Sequence, residues 1–370
     1  MSFTVTIPLA ALTEVVVKAA RSTEPRAINP LLAHMKLDVV ADGIVCSATD
    51  YEVALRAHVP AVTTGSGCVA LPIRILMDVV RGLPGPEVVI SGADGRVTLA
   101  CGRSRFAINT LDATDFPVFP DPEAPAVLTV SGAELRDALS RVRWCASNGK
   151  DGRVMLAGVY LSLADDALEF AATDTNRLAC DHSVGVTTDA TALEAILPTR
   201  LIAELLRSPA EEYTLRISDR IAQFTDGPNT HSSRLVEGTF PRYAPLLAAV
   251  AGATPRWTAP VKTLRDAIVR AAIASRDETG RIAFSSHDGT LTLTASSASV
   301  GEAVEELTVE MGSPEPFTTF FNGSYLRQVL DSVHSDVVLF SANDPVAAGT
   351  LTFPDLAAYR YLVMPMRDLG

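Results

Sequence analysis

The chain repeats itself, and the repeat constrains its fold more than any other feature of the sequence. Ala48-Thr49-Asp50 returns as Ala172-Thr173-Asp174, and Phe116-Pro117 returns at the same offset as Phe240-Pro241. Two well-separated motifs that share one offset mark a duplication. A third copy is fainter. Leu135-Arg136-Asp137-Ala138 recurs letter for letter as Leu264-Arg265-Asp266-Ala267, while the first copy keeps only Leu12 at the matching place.

Each copy opens with an apolar stripe at i, i+3, i+4 and i+7, the signature of an amphipathic helix. The stripes are Leu12, Val15, Val16 and Ala19; Leu135, Ala138, Leu139 and Val142; and Leu264, Ala267, Ile268 and Ala271. A second helix per copy is predicted by Arg74–Arg81, Arg200–Arg207 and Arg327–His334. Each of these segments has a base at i, an acid at i+4 and a base or His at i+7, which share one face. The residues at i+2, i+3 and i+6 share the opposite, apolar face. Alternating β-branched runs such as Tyr213-Thr214-Leu215-Arg216-Ile217 and Leu291-Thr292-Leu293-Thr294 predict strands, with turns at Ala93-Asp94-Gly95 and His287-Asp288-Gly289. The repeat is far longer than the roughly 20–50 residues of a solenoid unit. Three similar α+β domains result, at 1–125, 126–254 and 255–370, with breaks near Pro122–Ala126 and Gly252–Pro255.

If each domain is a sheet covered on one face by two helices, joining domains edge to edge gives a continuous outer sheet with the helices inside. Closure into a ring removes exposed strand edges, which otherwise invite aggregation. The helices would then line a hole with Arg74, Arg81, Arg200, Arg207 and Arg327. Lys18, Arg141 and Arg270 join them from equivalent positions of the first helices, and Arg21 and Lys150 complete the candidate DNA-binding set. A base-acid pair at i, i+4 is ordinarily just a solvated helix face worth a few tenths of a kcal/mol. Its recurrence in all three copies of a chain with net charge −12 is what singles it out. A basic lining would grip phosphates without reading bases and would permit sliding.

Other chemistries find little support. No G-x-S-x-G, P-loop or H-E-x-x-H occurs, the six histidines are scattered, and no cofactor or metal is expected. Asp50 and Asp174 sit at equivalent turns and read as turn-capping residues rather than as a carboxylate pair. The five cysteines, Cys46, Cys68, Cys101, Cys145 and Cys180, form no C-x-x-C pair and read as reduced thiols. Met1–Thr6 shows no targeting features, so a cytoplasmic protein is expected.

The ordered set Gly102-Arg103-Ser104-Arg105-Phe106, Asp115-Phe116-Pro117, Ala172-Thr173-Asp174 with Arg177-Leu178-Ala179, Gly238 with Phe240-Pro241, and Tyr361-Leu362-Val363-Met364-Pro365-Met366-Arg367 resembles the bacterial β sliding clamps along the whole chain. The resemblance implies a non-enzymatic, head-to-tail homodimer: a six-domain ring, helices inside and sheets outside, around duplex DNA. Arg103, Arg105 and Ile108 of one chain would meet Ile273 and Ala274 of the other. Expected partners are the replicative polymerase subunit, the clamp loader and other proteins bearing a short apolar clamp motif. That motif would enter a groove formed by Met155, Leu156, Thr173, Thr175, Asn176, Arg177, Leu178, Pro241, Pro245, Leu246, Asn322, Tyr325, Val346, Leu362, Val363, Met364, Pro365, Met366 and Arg367. The chain departs from the family pattern at Thr175-Asn176, where Gly and then His or an aromatic is common, at Pro245, and at Met155. The alternative readings are a specialised second clamp with an altered groove, such as one tolerating a clamp-directed antibiotic, and a non-replicative scaffold.

Overall fold

The computed structural model describes residues 2–93, 95–150, 152–164, 167–275 and 280–367. Seven α-helices occur among them: α1 Leu9–Ala20, α2 Ile73–Gly82, α3 Gly132–Val142, α4 Thr199–Arg207, α5 Ala244–Val250, α6 Val261–Ala271 and α7 Gly323–Ser332. The chain divides into two compact units, Met1–Gly132 with Thr188–Ala190 and Arg200–Leu235, and Ala133–Thr187 with Thr191–Thr199 and Val236–Gly370.

In the first unit, the strands Gly67–Pro72, His34–Val40, Gly43–Thr49 and Val53–Pro60 form one antiparallel run. This run continues without a break into Asn229–Arg234, Ile221–Asp226, Glu212–Ile217 and Ala126–Ser131. The seam between the first two copies is therefore a hydrogen-bonded strand pair, with Leu55 opposite His231. A separate five-stranded sheet runs in the order Val62–Gly65, Phe3–Pro8, Glu87–Ala93, Arg96–Cys101 and Ser104–Asn109. α1 and α2 pack together against these strands. The stripe Leu12, Val15, Val16 and Ala19 is buried with Val5, Ile7, Leu37, Leu76 and Val80 in one apolar cluster.

The second unit is built the same way. Leu193–Pro198, Gly158–Ala164, Ala167–Thr173 and Arg177–Thr188 pair in that order. The run then crosses to the third copy through Tyr359–Val363, followed by Gly349–Thr352, Val337–Ser341 and Pro255–Pro260. A four-stranded sheet, Gly301–Thr308, Thr290–Ser297, Arg281–His287 and Phe317–Asn322, completes it. α6 packs on α7. The predicted stripes of α3 and α6 are buried throughout. The predicted turn at Asp288-Gly289 joins its two strands with both residues at positive φ, the conformation a two-residue hairpin requires.

One helix departs from the expected register. The i+2, i+3, i+6 face packs inward in α2 and α7, but α4 buries Leu201, Ile202 and Leu205 and leaves Ala203 and Leu206 half-exposed. Its apolar residues cover a stripe wide enough for either face. Packing selects the face on which the buried Tyr213 hydroxyl donates to the carbonyls of Leu205 and Ser208, at 3.2 and 3.0 Å, satisfying orphan acceptors at the helix end.

Candidate functional site

The duplicated Ala-Thr-Asp motifs build the same turn twice. Thr49 Oγ1 accepts from the Tyr51 amide and donates to the Val53 carbonyl, while Asp50 Oδ1 accepts from the amides of Glu52 and Val53. Thr173 and Asp174 make the identical set with Thr175, Asn176 and Arg177. Each turn puts a non-glycine residue in the left-handed region, Tyr51 at φ 75° and Thr175 at φ 76°. The two aspartates then take different partners. Asp50 binds Arg200 at 2.7 Å, whereas Asp174 binds the Nε of Arg177 at 3.0 Å.

Arg177 organises one end of the expected groove. Its buried guanidinium donates to Asp174, to the side-chain oxygen of Gln328 and to the carbonyl of Trp144, and lies 4.2 Å over the Tyr325 ring. Here the strand Tyr359–Val363 pairs with Arg177–Thr188, and the Met364 amide donates to the Asn176 carbonyl at 2.7 Å. Thr173, Thr175, Asn176, Arg177, Tyr325 and Met364 are thus brought together. Asn322 caps α7 by accepting from the Ser324 amide. The Met366 amide is held by the Phe320 carbonyl, with half-buried Pro365 before it and exposed Arg367 after it. Val346 is exposed.

A cavity of about 1530 Å³ lies beside the segment Thr239–Ala253. Of the expected groove residues, Pro241, Pro245 and Leu362 line it. Pro245 occupies the first turn of α5, where its fixed φ and missing N–H suit helix initiation, and Leu246 beside it is exposed. Met155 packs against Gly238, whose φ of 118° and close approach leave no room for a side chain. Sequence reasoning missed the aromatic wall of Tyr160, Phe240 and Tyr243, in which Tyr160 stacks on Phe240 at 4.9 Å. Burial, and then the Glu169 carboxylate, push the Tyr243 hydroxyl's pKa well up. Leu156, Leu178 and Val363 are buried, and Leu362, which lines the cavity, is 6% exposed.

The candidate DNA-contacting residues fall into two groups. Arg74, Arg81 and Lys150 are exposed and make no ion pair among the described residues. The others are held by carboxylates of the chain: Lys18 by Glu14, Arg21 and Arg207 by Glu204, Arg200 by Asp50, Arg270 by Glu305 and Arg327 by Asp331. Arg141 is a correction. Its side chain is 12% exposed and tied to Asp181, itself 1% exposed, so little of its guanidinium reaches solvent.

The expected interface residues also divide. Arg103 and Arg105 are exposed and Ile273 is half-exposed, but Ile108 and Ala274 are 5% and 3% exposed and belong to the chain's own core. Phe106 and Ile108 share one face of Ser104–Asn109, opposite the core residues Leu99 and Val97, but Ile108 is packed over while Phe106 stays 43% exposed and is the apolar residue this strand offers. This strand ends its sheet, as Gly301–Thr308 ends the four-stranded sheet and exposes Val304, Glu302 and Glu306.

Sequence profiles of the DNA polymerase III beta subunit match the chain three times: the N-terminal domain at residues 1–120, the central domain at 129–242 and the C-terminal domain at 253–367. The chain belongs to the DNA polymerase III beta subunit family. The beta sliding clamp of Vibrio cholerae is 30% identical over 92% of this chain and 93% of its own length. That of Caulobacter vibrioides is 29% identical over 98% and 99%. A crystal structure of the Pseudomonas aeruginosa DNA polymerase III beta subunit superposes with a TM-score of 0.91 at 29% identity, covering both chains fully. The beta sliding clamp fold is thus shared along the whole length. Within that fold, Thr175 is a strained position, because a β-branched residue at positive φ is costly where Gly is not. Thr175→Gly is expected to raise unfolding stability by about 1 kcal/mol, the relieved strain exceeding glycine's extra chain entropy. Urea titration measures this, and the Thr173 and Asp174 hydrogen bonds to the turn amides should survive the change.

Proposed function

We propose that two copies of this chain join head to tail into a closed ring around duplex DNA, and that the ring tethers a replicative polymerase subunit, the clamp loader and other motif-bearing proteins through the groove around Arg177 and Pro241. Membership of the beta subunit family in all three repeats is the observation that carries this reading. The free sheet edges add to it. The strand Ser104–Asn109 offers Phe106 with Arg103 and Arg105, and Gly301–Thr308 offers Val304 with Glu302 and Glu306, so apolar contact and opposite charge suit one edge to the other. The DNA-facing set is Lys18, Arg21, Arg74, Arg81, Lys150, Arg200, Arg207, Arg270 and Arg327, without Arg141. No reaction of its own is assigned to the chain, and it works in the cytoplasm. No described helix is long and apolar enough to cross a membrane.

Topology provides the test. Loaded by a clamp loader onto a nicked circular plasmid, the protein should stay bound at salt that strips simple electrostatic complexes, and should leave once the plasmid is cut. Loss from the uncut circle, with loader and a control clamp working, would overturn the ring.

A further inference from the structure

One carboxylate in the first unit holds two of the arginines assigned to DNA. Glu204, in the middle of α4, has a side chain only 13% exposed. Both of its carboxylate oxygens lie 2.7 Å from the Nε of Arg21, and Oε1 also accepts from Arg207 at 3.0 Å. Arg200, one turn earlier, is held by Asp50 and donates to the Arg21 carbonyl at 3.2 Å. The three arginines and Glu204 line a single cavity of about 310 Å³, with Ser22, Ser232 and His231 among its walls. Three guanidinium groups are matched by two carboxylates. Burial drives the imidazole of His231 down to about 4, against the pull of Asp226, so it adds no charge at neutral pH. Glu204 is thus shared by two of the three guanidinium groups.

We propose that Glu204 is an internal competitor for DNA phosphate: a backbone phosphate of duplex DNA enters this cavity and takes Arg21 or Arg207 from Glu204, which takes the arginine back when the phosphate moves on. This rests on the DNA-encircling reading. Guanidinium–phosphate pairs are short, strong and bidentate, and three unopposed arginines would hold one phosphate tightly. An arginine with a waiting carboxylate is never left unpaired between phosphates, so its hand-over is shallow and the grip is renewable. Arg21 and Arg207 keep part of their surface in water, which lets them swing without first being dragged out of a core. The second unit repeats the device. Asp331, at the same place in its base-acid-base segment, binds both Arg327 and Arg265.

The test is the salt dependence of binding to a short linear duplex, read by fluorescence anisotropy on the full-length dimer. Glu204→Gln should bind more tightly at low salt. Its plot of log K against log salt should steepen by up to about 0.9, the value of one added phosphate contact. Asp78→Asn is the control. It removes the same charge from the matching position of α2, where Asp78 makes no ion pair among the described residues, and should leave the slope unchanged. Asp331→Asn gives an independent measurement if Glu204→Gln folds poorly, and should also steepen the slope. An unchanged or shallower slope in the glutamine variant, or in the Asp331 variant should that one alone fold, overturns the proposal. So does equal steepening in the control. Because the duplex is linear and short, the result does not depend on ring closure, which plasmid retention tests separately.

Discussion

A Phe106→Asp chain is expected to sediment as a monomer at concentrations where the unaltered chain is a dimer, with the dimer Kd raised at least about 100-fold. Phe106 is 43% exposed on a strand whose outer edge has no strand partner among the described residues. Covering such a ring against a second copy contributes roughly 1.5–3 kcal/mol, and each 1.4 kcal/mol is a factor of ten. The new carboxylate would also face Glu302 and Glu306 of the other copy, where like charge costs more still. Sedimentation equilibrium measures the shift directly. Arg105→Glu should weaken the dimer in the same direction, and adding Glu302→Lys in the same chain should restore part of the loss. By contrast, Ile108→Ala should lower the stability of the fold, because Ile108 packs into the core of its own sheet. An unchanged dimer in the Phe106 variant would place the contact on some other surface.

Arg177→Ala should lower stability by about 3 kcal/mol and abolish capture of motif peptides. The buried guanidinium joins three parts of the second unit: the turn at Asp174, the Trp144 carbonyl, and Gln328 and Tyr325 of α7. Truncation leaves Asp174 Oδ2 and the Trp144 carbonyl without their donor, and breaking a partly buried ion pair on one side costs roughly 3–5 kcal/mol. Urea unfolding and peptide titration read the two effects separately. Arg177→Lys tells geometry from charge, since an ammonium cannot serve three divergent acceptors and stack on Tyr325. It should recover less than half of either loss. Full recovery by lysine would reduce Arg177 to a point charge.

The helices were readable because their signal is local. A 3.6-residue stripe needs no knowledge of the rest of the chain, and all three first-helix stripes are buried where expected. α4 was ambiguous because Leu201, Ile202, Leu205 and Leu206 give two faces of nearly equal width, and Tyr213 decides between them. The site residues that are more buried than expected share one cause. How far Arg141 reaches solvent is set by Asp181, 40 positions away, and whether Ile108 or Phe106, on the same face of one strand, is covered is set by packing that the sequence does not display. Matching positions across repeats located Lys18, Arg141 and Arg270 correctly on equivalent helices but carried no information about their partners. The aromatic wall of Tyr160, Phe240 and Tyr243 is assembled from a strand and a connecting segment far apart in the chain, and only Phe240 carried a repeat signal.

The two seams between copies also fix when the protein can finish folding during synthesis. The strand Val53–Pro60 has no neighbour on one side until Asn229–Arg234 has left the ribosome. Arg177–Thr188 waits longer, for Tyr359–Val363, which must slot between it and Gly349–Thr352. Pairings of such high sequence separation form slowly, and their unpaired edges are exposed in the meantime. A ribosome stalled anywhere between the two seams therefore carries one settled unit and one with an open edge. Emergence of Tyr359–Val363 is the event that closes the second.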